Sequence, residues 1–114
     1  MPQEFDLKKY LDFIKTENAH IAKRDNYDTF KESVLYWLAK LGEESGEFTN
    51  EILIKLKFCR REKMRDNSKE LASEFADCVN VLFLLADKLG IDAPSALMER
   101  VAAITERNKK EESL

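Results

Sequence analysis

Five carboxylates in this chain fall into two groups at helical spacing. Glu43, Glu44 and Glu47 stand in LGEESGEF, while Glu74 and Asp77 bracket the start of FADCVNVLFLLA. Glu44 and Glu47 are three residues apart, as are Glu74 and Asp77, so each pair projects from one face of a helix. Their register against the apolar residues is informative. Trp37, Leu41, Glu44 and Phe48 follow a four, three, four spacing, and Leu71, Glu74, Cys78, Val81 and Leu85 do the same for Glu74, so both glutamates occupy positions where a hydrophobe is expected. An ionised carboxylate buried without a partner is costly or gives up its charge. Something positive should therefore sit beside Asp77, in a helix that should be largely buried. The two groups together suggest a shared cation held by Glu44, Glu47, Glu74 and Asp77. Oxygen donors without His or Cys suit Mg²⁺, with Mn²⁺ as a substitute, better than Zn²⁺ or iron. The only histidine, His20, is distant in sequence, and the Glu-x-x-His pairs of a di-iron site are missing.

The elements that must position these groups are helices. Asp6 can cap a first helix running to about residue 24, with Leu7, Tyr10, Leu11, Phe13 and Ile14 as its apolar stripe. After the turn formers of RDNYD, Asp28 or Thr29 caps a long second helix, Glu32 completing a capping box for Thr29. Its pattern persists to about residue 58. Gly42 and Gly46 flank the glutamates and read either as tolerated or closely packed positions, or as backbone thinned for a ligand. A basic connection, CRREKMRDNSK, leads to a third helix from about Ser68 to Leu89, which Gly90 ends. Asp92, Pro94 and Ser95 begin a fourth carrying Leu97, Met98, Val101 and Ile104, and the tail from about 108 to 114 should fray. No strand pattern or internal repeat is present. The expected fold is an all-α four-helix bundle.

At 114 residues the chain predicts a single domain spanning 1–114. A charged fraction of 36% against 44% hydrophobic, with few Gly and Pro, favours a globular helical protein over a disordered one. The net charge of -3 and a pI near 5.3 give no electrostatic case for nucleic acid as a partner. Cys59 and Cys78 offer neither a framework of bridges nor a C-x-x-C spacing, and read as reduced thiols. No leader-like apolar region opens the chain and no run approaches the roughly 18 residues of a membrane span, so no membrane partner is expected and the cytoplasm is the expected location.

K-x-x-E-E-x-x-E, here Lys40 to Glu47, followed after 26 intervening residues by E-x-x-D, here Glu74 to Asp77, resembles the signature of the MazG-like nucleoside triphosphate pyrophosphohydrolases. The wider group is the all-α NTP pyrophosphatases, which includes dimeric dUTPases, dCTP pyrophosphatases and phosphoribosyl-ATP pyrophosphatases. The likeness covers roughly residues 30 to 107, including the aliphatic run and LGID. It implies Mg²⁺-dependent cleavage of an NTP or dNTP between the α and β phosphates, giving a monophosphate and pyrophosphate, as in the house-cleaning of nucleotide pools. It also implies a homodimer or homotetramer with sites between subunits.

Around that core, Glu43 is the candidate water-orienting base or extra ligand, with Glu44 the second catalytic candidate. Lys40 either reaches phosphate or pairs with Glu43 and Glu44. Trp37, seven residues before Glu44, could stack on a nucleobase or belong to the core. Asn80, one turn beyond Asp77, could bind sugar or base or orient a metal ligand. Lys57 and Arg61 represent the basic connection, where a triphosphate tail needs cations. Relatives often carry Lys, Asn and Arg near the C-terminal helix; Arg100 and Arg107 match, while Ile104 stands where asparagine would. Asn18 and His20 could belong to a substrate-facing first helix, but are expected at the surface. Two rival readings remain: a phosphoribosyl-ATP pyrophosphatase-like enzyme, disfavoured because Val81 replaces its usual histidine, and a non-catalytic helical protein that binds nucleotide or metal.

Overall fold

In the computed structural model, which describes residues 3–114, the chain forms four α-helices: α1 (Leu7–Arg24), α2 (Phe30–Lys55), α3 (Ser68–Lys88) and α4 (Ala93–Glu112). There is no strand among the described residues. Each start reflects local chemistry. The Asp6 carboxylate accepts from the Lys9 amide at 3.1 Å and the Asp92 carboxylate from that of Ser95 at 3.1 Å. Thr29 and Glu32 form half of the expected capping box: the Glu32 amide donates to Thr29 Oγ1 at 3.1 Å, while Glu32 Oε1 accepts from the Thr29 hydroxyl at 2.9 Å rather than from its backbone N–H.

α2 and α3 form an antiparallel hairpin. Glu51 meets Asn67, Phe48 faces Phe75, and Glu44 approaches Asp77, so the two numberings run in opposite directions. α1 lies parallel to α3: Tyr10 bonds Asn80 and Asn18 bonds Asp87. The core is made by these three helices, from Ile14, Ile21, Trp37, Val81, Leu84 and Leu85, with Tyr10, Val34, Tyr36, Leu41 and Phe83 packed around it.

The connection between α2 and α3 carries a short 3-10 turn at Arg61–Lys63 and is pinned from inside. Asn67 is fully buried and donates to the Glu51 carbonyl at 2.8 Å and to Glu51 Oε2 at 2.6 Å, while Arg65 holds Glu51 Oε1 at 2.7 Å. A buried carboxylate with an amide donor and a guanidinium is a satisfied charge, unlike those described below.

Several expectations are corrected. α4 is not embedded in a four-helix bundle: only Ala93, Pro94 and Ala96 are half-buried, and every residue from Leu97 onward is exposed. The radius of gyration, 17.8 Å, reflects this; a compact chain of this length has about 13 Å. α3 is less buried than its composition suggested, since Phe75 is 55% exposed and only Val81, Leu84 and Leu85 are buried. α2 stops at Lys55 rather than 58, and α4 continues as helix through Glu112 where fraying was expected. Neither Gly42 nor Gly46 backs onto another element, because a Cβ at either would meet nothing within 4 Å. Among the described residues, no helix is long and apolar enough to cross a membrane.

Candidate functional site

The register of α2 against α3 brings Glu44, Glu74 and Asp77 together. Each offers a carboxylate oxygen, and the three oxygens lie within 4.8 Å of one another. Glu44 and Glu74 are half-buried. One oxygen of each, Glu44 Oε2 and Glu74 Oε2, is buried with no hydrogen-bond partner. Such groups are rare in folded proteins, because each has lost its water without a replacement.

The electrostatics follow from this crowding. Burial raises the Glu44 carboxyl above its ordinary value, reinforced by Glu47 and Asp77 and opposed by Lys40. Glu74 is pushed up to about 7, first by burial and then by the adjacent Glu47, Glu44 and Asp77. Burial and the same carboxylates raise the Cys78 thiol, keeping it protonated and unreactive.

Lys40 is the nearest cation. Its ammonium donates to Glu43 Oε1 at 3.1 Å and stands 3.8 Å from Glu44 Oε1, so it leans toward the exposed rim rather than into the cluster. A groove of 340 Å³ runs from Glu44 and Asp77 along α1, passing Lys40, Asn80, Phe13 and Tyr36 to Arg24 at its far end. Arg24 is already held by Asp25, with two bonds of 2.9 Å, and reaches the Tyr36 hydroxyl at 3.3 Å.

The structure brings together three of the four expected ligands. Glu47 is exposed and lies beside Glu74 without joining the tight set. Glu43 is on the solvent side, engaged by Lys40. Asn80 lines the groove one turn past Asp77 and accepts from the Tyr10 hydroxyl at 2.7 Å. Of the two readings of Trp37, the core is what the structure shows: it is 5% exposed at the floor of the groove, and its indole N–H donates to Asn18 Oδ1 at 2.6 Å. Asn18 is likewise not at the surface. It is buried and donates to the Leu84 carbonyl at 3.1 Å and Asp87 Oδ2 at 2.8 Å, so one amide joins α1, α2 and α3. His20 is exposed as expected.

Of the cationic candidates only Lys40 lines the groove. Lys57 lines a separate cavity of 430 Å³ with Lys55, Arg65 and Asn67, and Arg61 is exposed on the 3-10 turn. Arg107 is exposed on α4, 3.9 Å from Glu111, and Arg100 is exposed on the same helix; no α4 residue lines the groove.

Sequence reasoning missed Tyr10 as a polar partner and the Arg65, Glu51 and Asn67 lock. The position of Asn18 was available: Ile14, Asn18 and Ile21 follow a four, three spacing on the buried face of α1.

The donor set fits a hard divalent cation. All three groups are carboxylates, they come from two helices fixed by a common core, and two of their oxygens lack any other partner. Comparison with protein-family models, with curated proteins and with solved structures finds no match to this chain.

Proposed function

We infer that the chain is a Mg²⁺-dependent nucleotide pyrophosphohydrolase of the all-α NTP pyrophosphatase type, cleaving an NTP or dNTP between the α and β phosphates. The observation that carries this reading is the convergence of Glu44, Glu74 and Asp77 with two unpartnered buried oxygens. It is joined by the K-x-x-E-E-x-x-E and E-x-x-D motifs in which those residues stand.

Glu44, Glu74 and Asp77 would hold Mg²⁺, or Mn²⁺ in its place, with Glu47 at the edge of the set. The ion would supply charge neutralisation for the polyphosphate and acidify a water. Glu43, exposed and paired with Lys40, would orient that water once Lys40 turns from it to phosphate. Lys40 then serves both readings given by its spacing, pairing with glutamate in the free chain and with phosphate in the complex. Val81 and Leu84 line the groove beside Glu44 and Asp77 and give it an apolar wall.

A second copy of the chain completes the assembly in this reading. α4 presents Leu97, Met98, Val101 and Ile104 to solvent, and α3 presents Phe75, Leu82 and Leu89. Apolar helix faces of this extent are those that oligomers cover.

The test is pyrophosphate release from a panel of NTPs and dNTPs with Mg²⁺. Wild-type protein should act on at least one, and Glu44→Ala should lose roughly a hundredfold or more in kcat, as removal of a group that holds charge in the transition state does. No release from any substrate, with wild type matching Glu44→Ala, would leave the non-catalytic nucleotide- or metal-binding reading in its place.

A further inference from the structure

Beside the carboxylate groove lies a larger cavity of 1030 Å³, walled by the segment preceding α1, the first turns of α1, and Asn80. The two cavities meet at Phe13 and Asn80, which line both. Asn80 follows Asp77 by three residues, so it stands about one helical turn, ~4.5 Å of rise along α3, from the carboxylate cluster.

The charge of the cavity decides which end of a ligand it suits. Among the described residues Glu4 and Asp6 stand on its wall with Lys9 as the one cationic side chain, so a polyphosphate is disfavoured there. Beside Gln3, Leu7 and Asn80, its remaining lining is aromatic. Phe5 is 73% exposed and Phe13 44%, whereas Tyr10 is held between Phe5 and Phe83, with ring centroids 5.4 and 5.1 Å away.

One amide faces this aromatic surface. Asn80 Oδ1 accepts from the Tyr10 hydroxyl at 2.7 Å, which directs the other side of the amide away from Tyr10. Asn80 is half-buried and lines the cavity, and its two N–H donors make no hydrogen bond to the protein among the described residues. Burial raises the Tyr10 hydroxyl above its ordinary value, so it remains a donor across the working range of pH.

We propose that this cavity is the nucleobase subsite, with Phe13 as the stacking surface, Asn80 donating to a ring carbonyl or ring nitrogen of the base, and Tyr10 as the positioning residue that fixes the Asn80 amide. The proposal rests on the nucleotide reading of the carboxylate site, since it is the phosphates held there that bring the base to Asn80. Planar heterocycles stack on aromatic side chains whatever their identity, so Phe13 supplies affinity and Asn80 supplies discrimination.

The test is calorimetric titration, with Mg²⁺, of non-hydrolysable α,β-methylene triphosphates carrying each of the common bases, and of inorganic tripolyphosphate. Wild type should bind the nucleotides roughly tenfold or more tighter than tripolyphosphate, as one base stack provides, and unequally among bases. Phe13→Ala should abolish that advantage. Asn80→Leu and Tyr10→Phe should narrow the spread between bases while leaving tripolyphosphate binding unchanged, which a merely structural loss would not do. Phe13 is partly exposed, so its variant keeps the proposal falsifiable even if Asn80→Leu fails to fold. Nucleotides binding no tighter than tripolyphosphate, or an unchanged advantage and ranking in Phe13→Ala and Asn80→Leu, would overturn the subsite. Base-dependent binding without pyrophosphate release from the natural triphosphates would instead sink the hydrolytic reading and leave the subsite standing.

Discussion

Glu74 in the cation-free chain titrates near 7, against 4.5 for a free glutamate, so between those values the folded state holds a proton that the unfolded state has released. Its contribution to stability is therefore greatest below about 4.5 and is lost as pH rises through about 7. A divalent cation prefers the deprotonated carboxylates, so its effect has the opposite sign. Thermal denaturation should show the cation-free protein losing several degrees from about pH 5 to about pH 8, with Mg²⁺ raising the midpoint more at the upper pH. Glu74→Gln should raise the cation-free midpoint near pH 8 by a few degrees, roughly 1 kcal/mol, and remove the Mg²⁺ response. A Glu74→Gln protein that melts earlier than wild type would contradict the idea that this side chain is an uncompensated charge. The glutamates in apolar register were legible because a 3.6-residue period marks an inward face. That Glu47, expected as a fourth ligand, stays outside the tight set was not, since that depends on how α2 meets α3, and local spacing does not encode it. Trp37 illustrates the same limit from the other side: its place on the Glu44 face was readable, but its burial came from α1, through Asn18.

The helices end as informatively as they begin. α1, α2 and α3 each close with a residue of positive φ, Asn26 at 57°, Lys57 at 64° and Gly90 at 71°. In each the next amide reaches back a full turn, as Tyr27 to Ala22 at 2.8 Å, Phe58 to Leu53 at 2.8 Å and Ile91 to Ala86 at 2.9 Å. Gly90 adopts this conformation freely, Asn26 at small cost, and Lys57 against the crowding of its Cβ. Lys57→Gly should therefore stabilise the chain by up to ~1 kcal/mol, read as a higher denaturant midpoint with an unchanged slope. A lower midpoint would mean that the Lys57 side chain contributes more than its backbone costs. This arrangement also explains which boundaries could be read. The caps at Asp6, Thr29 and Asp92 and the stop at Gly90 use residue types suited to the task, whereas the end of α2 uses a lysine inside a continuing apolar pattern, LKF. The last residues of α4, NKKEE, contain no helix breaker, so the helix runs on to Glu112.

For the molecule as a whole, the central fact is a three-helix core with a fourth helix standing off it. A helix of 20 residues has little stability in water by itself, and α4 buries nothing beyond Ala96 within its own chain. Sedimentation at several concentrations should find a dimer or tetramer, and Val101→Glu, which sets a charge in the exposed apolar stripe, should shift the mass toward that of a monomer. A wild-type protein that stays monomeric throughout would remove the assembly from the proposal. The all-helical class was legible because every stretch carried a helical period; the place of α4 was not, because the same stripe serves an intramolecular or an intermolecular contact equally well. The division between core and α4 has an optical counterpart. Every aromatic ring lies at or before Phe83, and the only indole, Trp37, is fastened to Asn18 where α1, α2 and α3 meet. Indole emission thus reports on that junction, and ultraviolet emission as a whole leaves the last helix dark, so that a probe of backbone helicity is needed to see α4 come and go.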